Sequence, residues 1–277
     1  MKKNTPLSTA QIRHFHTHGY LIINNLFSAA EAAFMRQIAQ ADPRVEAEAK
    51  FNSNYDASTP DSTRGIDTRL VYTPNLAAAD TYCAIAQSQR LIAPLEQLFD
   101  DEIRHYYHLK TLKNPQTGGW QYHQDYGYHY KEFFYPSFCS VMLALDPASR
   151  ENGCLRVVKD SNQLGRLEHQ SSGSQLIADP ERVRLALAEM EEIYCELEPG
   201  SALYFHGNTL HASDPNFSAQ PRWALIYAFV AARNKVVPAE LEKTLAPPLQ
   251  GWSDAQVEAA LQRHWEEIRA QGAGEAG

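Results

Sequence analysis

From about residue 103 to residue 231 the chain is a series of short runs rich in Val, Ile, Leu, Phe, Tyr and Trp. They lie at 103–113, 137–145, 155–158, 193–197, 202–206 and 223–231, most of them separated by Gly, Pro and Asn. β-Branched and aromatic side chains suit a pleated surface, and Gly, Pro and Asn supply the turns between strands. Strands of this kind bury one face each and need a second sheet, or closure on themselves, to cover it. The pattern predicts a mainly β sandwich or barrel with flanking helices. An acidic helical stretch at about 180–192 interrupts it. The 277 residues suffice for one large domain or two small ones, and all-β barrels run past roughly 200 residues as one unit. We expect one domain over 1–277, with its core at about 100–235.

Helix signals frame these strands. Ser8 and Gln11 stand three apart at the head of a periodic stretch with Ile12 and Phe15, as in a capping box. Tyr20-Leu21-Ile22-Ile23 then reads as a strand, and Ser28 with Glu31 forms a second capping box before Phe34, Met35 and Ile38. That helix should stop near Asp42-Pro43, because the residue before a proline is pushed away from helical dihedrals. Residues 47–69 are polar, with Asn, Ser, Thr, Asp and Pro in quick succession, and predict a long loop or lid. A helix is expected at 79–99. Val257, Leu261 and Ile268 repeat at helical spacing behind Ser253 and Gln256, which predicts a surface helix at about 253–270.

The formal net charge of -8 leaves no basic footprint for a nucleic-acid backbone. No run approaches the roughly 18 apolar residues of a membrane span, and the N-terminus turns polar before any signal-type apolar core. The expectation is a cytoplasmic monomer or homodimer that meets a small molecule rather than nucleic acid or membrane. Cys83, Cys139, Cys154 and Cys195 show no C-x-x-C spacing, so they are expected to be reduced and mostly buried.

His123-Gln124-Asp125 places an imidazole and a carboxylate two apart, on one face if the segment is extended. Together they can grip one metal ion. His211, after the 202–206 strand and before a turn-rich Ser-Asp-Pro-Asn segment, is the best third ligand. Two imidazoles and one carboxylate on one face leave open positions, the arrangement non-haem Fe(II) oxygenases use. Zinc accepts the same donors. An H-x-D pair alone is a weak signal, since most such pairs are surface residues.

The rest of the chain sharpens it. The blocks are Gln11-Ile12, Phe15 and Gly19-Tyr20-Leu21-Ile22; Trp120-Gln121-Tyr122-His123-Gln124-Asp125-Tyr126; 151–162; 199–206; and His211-Ala212-Ser213-Asp214-Pro215-Asn216-Phe217-Ser218 with Arg222. In this order they resemble the phytanoyl-CoA dioxygenase family of Fe(II)/2-oxoglutarate oxygenases, over roughly residues 8–231. The resemblance implies a double-stranded β-helix of the jelly-roll, cupin-like class that uses Fe(II), 2-oxoglutarate and O2 and holds the metal with His123, Asp125 and His211. It also implies that Arg222 binds the distal carboxylate of 2-oxoglutarate, with Ser213 assisting. A guanidinium suits that role as a planar two-pronged donor. A lysine upstream of the H-x-D block touches the co-substrate region, and Lys110 and Lys113 both qualify. Asp125 argues for hydroxylation, since related halogenases carry a small residue there. The chain departs from the family where Pro-Gly-Ser-His reads Lys159-Asp160-Ser161-Asn162, and His206 lies close enough to His211 to compete as the third ligand.

The segment from Tyr126 to Tyr135 is dense in aromatics. Either these rings pack the core, or Tyr126, Tyr128 and Tyr130 wall a substrate pocket suited to a cationic head group. Arg64 and Arg69 are candidates for an anionic substrate group. The other histidines, His129 among them, read as surface or structural residues. The expected reaction is hydroxylation of a C–H bond in a small metabolite: an amino acid, a quaternary amine or an aminophosphonate-like zwitterion. The net charge of -8 disfavours a coenzyme A thioester at long range. A catalytically silent jelly-roll sensor and a zinc hydrolase on a cupin-like barrel are the rival readings.

Overall fold

The structure is a computed structural model, and it describes residues 6–48, 50–52, 68–73, 76, 80–115, 118–173 and 175–274. Its strands are β1 (Tyr20–Ile23), β2 (Lys50–Asn52), β3 (Thr68–Thr73), β4 (Ile103–Lys113), β5 (Trp120–His123), β6 (Phe138–Ala144), β7 (Leu155–Val158), β8 (His169–Ser172), β9 (Gln175–Ala178), β10 (Glu192–Tyr194), β11 (Ala202–His206), β12 (His211–Ser213) and β13 (Arg222–Ala231). The helices are α1 (Thr9–His18), α2 (Ala29–Ala41), α3 (Pro43–Glu48), α4 (Thr81–Ala86), α5 (Gln89–Phe99), α6 (Asp125–His129), α7 (Pro180–Glu189), α8 (Ala239–Thr244) and α9 (Asp254–Gly274).

One antiparallel sheet runs in the order β1-β11-β6-β13-β4-β3-β2, and a smaller one runs β10-β7-β12-β5. Alternation along the strands divides the larger sheet into two faces. Met142, Leu203, Phe205 and Ala224 pack against Leu155 and Val157 of the smaller sheet. Val141, Leu143, Tyr204, Leu225 and Tyr227 meet Phe15, Ile38, Ile85, Leu91 and Leu261 from the helices. β6, central and covered on both sides, is buried at every residue, which is why it reads as a continuous apolar run. This two-sheet jelly roll with helices on its outer face is the architecture the sequence pattern predicts.

Local signals set the helix starts. Ser8 and Ser28 cap α1 and α2, each accepting from the backbone N–H three residues on, while Gln11 and Glu31 return a side-chain bond to the cap. Arg90 braces the second cap, donating to Glu31 Oε1 at 2.5 Å. Burial works against ionisation of Glu31, but the hydrogen bonds from Arg90 and Ser28 outweigh it and hold the carboxyl at about 2.

Several expectations need correction. The helix expected at 79–99 is two helices, because Gln89 N–H and Gln87 C=O leave the helical ladder to bond Trp252 at 2.9 and 2.7 Å. The 47–69 segment begins in the last turn of α3 and then holds β2 and the start of β3, which pair on the edge of the larger sheet; 53–67, including Arg64, lie outside the described residues. β8 and β9 form a hairpin within a polar stretch that carries no strand pattern. The strand expected at 193–197 is β10 at 192–194, and Leu197 makes only an isolated bridge to Ala148. The tail helix is not merely superficial: Val257, Ala260, Leu261 and Ile268 are buried, and α9 packs on α4 and α2. All four cysteines are free and buried. Among the described residues no helix is long and apolar enough to cross a membrane.

Candidate active site

Antiparallel pairing of β12 with β5 sets His211 opposite His123, with ring centroids 4.1 Å apart. Past His123 the chain does not stay extended, as the H-x-D spacing suggested. Gln124 keeps extended dihedrals, and Asp125 opens the helical turn α6. A buried clamp holds this turn. Gln124 donates to Gly165 C=O and Asn208 C=O at 2.8 and 2.7 Å and accepts from Leu167 N–H at 2.7 Å, while Tyr126 N–H donates to Gly207 C=O.

The turn brings Asp125 Oδ1 to 3.6 Å from His123 Nε2 and 3.5 Å from His211 Nε2. Ser140 donates a short hydrogen bond to Asp125 Oδ2. His123 Nδ1 and His211 Nδ1 lie 2.7 and 2.9 Å from the carbonyls of Gln121 and Thr209. A carbonyl only accepts, so Nδ1 carries a proton in both rings and Nε2 is the nitrogen that each turns to the same point as a metal donor. Burial, and then the neighbouring His211, pushes the His123 imidazole down to about 3. Donor atoms of the three residues lie within 4.8 Å of one another, as one ion requires. Two imidazoles and one anchored carboxylate fit a divalent transition metal and leave part of its coordination sphere open. His206 is elsewhere, with Nδ1 accepting from Asn208 N–H at 3.1 Å and its ring edge-on to Phe15.

The same cavity, of about 290 Å³, is lined by Lys113, Ser213 and Arg222. Arg222 and Lys113 are register partners at the ends of β13 and β4. Arg222 donates to the carbonyls of Asn152 and Gly153 at 3.2 and 3.1 Å. Lys113 Nζ donates to Asp214 C=O, Ser213 Oγ and Gly153 C=O at 2.7, 2.9 and 3.2 Å. Burial, and then Arg222, lowers the Lys113 ammonium well below its usual range, and burial takes Arg222 down to about 10. No carboxylate pairs with either among the described residues. Two buried basic side chains whose hydrogen bonds go to carbonyls and a hydroxyl are a candidate site for an anion. Lys110 is three residues from Lys113 and so falls on the other face of β4, where its Nζ lies over the Tyr82 ring at 4.3 Å.

Of the three candidate tyrosines only Tyr128 lines the described cavity, with its hydroxyl donating to Leu176 C=O at 2.6 Å. Tyr126 is buried, and its hydroxyl donates to the carbonyls of Phe133 and Phe134 at 2.9 and 3.0 Å. Tyr130 is 39% exposed beneath the Arg166 guanidinium, which stands 4.1 Å from its ring centroid. Arg69 contributes its backbone to β3, opposite Leu112. Sequence reasoning missed Tyr107, Trp120 and His129, all in the cavity wall. Tyr107 was within reach, since Tyr107, Leu109, Thr111 and Lys113 alternate along β4. His129 was not, because its face depends on the turn at Asp125. The departure at 159–162 has a structural role: Asp160 pairs with His18 Nδ1 at 2.5 Å and Asn162 donates to His16 C=O at 3.0 Å, which docks the end of α1.

A jelly roll whose cavity joins a His-Asp-His group to a candidate anion site has the make-up of a non-haem Fe(II)/2-oxoglutarate-dependent oxygenase. The chain belongs to the phytanoyl-CoA dioxygenase family, whose model matches residues 15–224. It is 25% identical over 231 residues to methylphosphonate hydroxylase of Gimesia maris, an alignment covering 82% of each chain. It is also 25% identical over 250 residues to ectoine dioxygenase of Stutzerimonas stutzeri, covering 84% of this chain and 80% of that one. The fold is similar to the crystal structure of EctD from S. alaskensis in its apo form, with a TM-score of 0.72 and 20% identity, covering 91% and 90% of the two chains.

Proposed function

We propose that this protein hydroxylates a C–H bond of a small polar metabolite, with Fe(II) at His123, Asp125 and His211 and 2-oxoglutarate reaching the metal from Arg222, Ser213 and Lys113. The observation that carries this reading is the meeting, in one cavity, of three metal donors with two buried basic groups that have no carboxylate ion pair among the described residues. A dicarboxylate answers both ends: one carboxylate compensates Arg222 and Lys113, and the other end faces the metal donors. Fe(II) with 2-oxoglutarate and dioxygen supplies the oxidising power for C–H hydroxylation.

The chain's own residues orient and enclose. Arg222 and Lys113 set the direction in which the co-substrate enters. Trp120, Tyr128, Met142, Leu155, Phe205 and Ile226 wall the cavity and keep water from the reacting carbon. The volume of about 290 Å³ sits at the small end of ligand pockets and matches a metabolite rather than a long acyl chain. The similarity to a methylphosphonate hydroxylase and to ectoine dioxygenases supports a small charged substrate. The test is succinate release by Fe(II)-loaded protein across a panel of amino acids, cyclic amidines, quaternary amines and phosphonates. Substrate-stimulated succinate formation that requires O2 supports the reading; metal-dependent hydrolysis without O2 would overturn it.

A further inference from the structure

His129 closes α6 and lies in the cavity wall. Its Nδ1 is 2.6 Å from Glu132 Oε2, and the Tyr106 hydroxyl donates to the same oxygen at 2.8 Å. The imidazole stacks on Phe138 at 5.4 Å and 18° and is edge-on to Tyr106 at 5.0 Å. The ring is therefore fixed on two sides and at one nitrogen. Its other nitrogen, Nε2, pairs with no group among the described residues.

The partner at Nδ1 sets His129 apart. His123 and His211 direct Nδ1 to neutral backbone carbonyls, whereas His129 directs it to a carboxylate. The Glu132 carboxyl lies below its ordinary range, first through the hydrogen bond from His129, with burial opposing. A carboxylate there balances a ring protonated at both nitrogens, so Nε2–H can donate to an anion without leaving an uncompensated charge. The remaining walls agree. Asp125 is the one carboxylate among the residues lining the described cavity, and it belongs to the metal group. Among the described lining residues a cationic group entering the cavity would find no counter-charge of its own. An oxyanion finds His129, which stands 5.5 Å from Tyr107, ring centroid to ring centroid. Tyr107 is separated from Lys113 by on the order of 20 Å of strand at about 3.3 Å per residue.

We propose that His129 recognises the primary substrate by donating from Nε2 to a carboxylate, phosphonate or phosphinate oxygen, and that Glu132 is its positioning residue. This deepens the hydroxylase reading and rests on it.

The test is an anaerobic calorimetric titration of Fe(II)-loaded protein at saturating 2-oxoglutarate, which keeps the Arg222 end filled. Methylphosphonate probes for an oxyanion without a cation, and choline for a cation without an oxyanion. Wild type should bind methylphosphonate more tightly than choline. His129→Phe should lose at least tenfold in methylphosphonate affinity, His129→Gln should recover part of it, and Glu132→Gln should weaken methylphosphonate while leaving choline and 2-oxoglutarate unchanged. A merely structural role would move all three ligands together, and that result would overturn the proposal. So would equal methylphosphonate affinity in wild type and His129→Phe, no methylphosphonate binding to wild type, or tighter binding of choline. Binding of 2-oxoglutarate to the wild type and to each variant is titrated separately, and it is the wild-type result that bears on the co-substrate. Failure of the wild type to bind it would strike the co-substrate reading, while the methylphosphonate comparison still decides the role of His129.

Discussion

Lys113 and Arg222 face each other in the β4–β13 register, so two basic groups share one buried end of the cavity, where their hydrogen bonds among the described residues go to carbonyls and the Ser213 hydroxyl and Asp214 and Asp146 act on them without forming an ion pair. Arg222 opposes the charge of Lys113, and in the proposed reading the 2-oxoglutarate carboxylate offsets both groups. Arg222→Leu should raise the KM for 2-oxoglutarate about 10–150-fold, equivalent to about 1.5–3 kcal/mol for a lost charge-assisted contact, with a much smaller change for the primary substrate. In thermal melts, 2-oxoglutarate should raise the Tm of the wild type more than that of the variant. An unchanged KM for 2-oxoglutarate would remove Arg222 from this role.

The metal group makes a separate claim. His123→Ala, Asp125→Ala and His211→Ala should each abolish Fe(II)-dependent turnover and reduce stoichiometric Fe(II) binding while the far-UV spectrum stays that of the folded protein. His206→Ala should retain Fe(II), because its ring lies against Phe15 and Asn208. Loss of iron in His206→Ala with retention in His211→Ala would reverse the assignment of the third ligand.

Gly127 shows how the carboxylate is placed. A Cβ there would stand 2.1 Å from His169 Cε1. His169 is itself held, with Nδ1–H donating to Leu167 C=O at 2.9 Å and Nε2 accepting from Gln124 N–H at 3.0 Å. Gly127→Ala must push this ring and with it the Gln124 clamp that aims Asp125. We expect a loss of about 1–3 kcal/mol in stability and weaker Fe(II) affinity, read by melting and by metal titration. Wild-type iron affinity in a folded Gly127→Ala protein would refute the coupling.

Acid stability should report a buried histidine pair behind the larger sheet. His105 Nε2 and His108 Nδ1 are 3.2 Å apart, and His105 Nδ1 and His108 Nε2 have no hydrogen-bond partner among the described residues. Burial takes His105 down to about 3 and His108 also well below its usual range. A depressed folded pKa means the unfolded chain binds more protons, so stability is complete above pH 6.5 and falls as pH drops toward 3. For His105 alone the loss at pH 5 is about 2 kcal/mol. Melts between pH 7 and 5 should show a shallower decline in His105→Phe than in wild type; identical slopes would show that the pair does not control acid stability.

What the sequence determined by itself is local. The pairs Ser8/Gln11, Ser28/Glu31 and Ser253/Gln256 each form the cap their spacing predicts, because donor and acceptor lie three residues apart and need nothing from the rest of the fold. The long apolar strands are legible for the same reason, since period-two alternation and continuous burial are written along a single run. The order of the family blocks extends this to the candidate metal group and to Arg222. The tertiary structure decided every question that depends on a partner distant in the chain. Lys113 rather than Lys110 enters the cavity because β4 is paired with β13 in one register, and a slip of one residue would exchange their faces. Tyr128 lines the cavity while Tyr126 does not, and His129 joins it, because the extended backbone gives way to a helical turn at Asp125 and the side-chain period changes with it. That turn is held by Gly165, Leu167, Gly207 and Asn208, residues no local pattern around 123–129 names. Side-chain direction at the site is a long-range property, set by hydrogen bonds that form only once the two sheets have met.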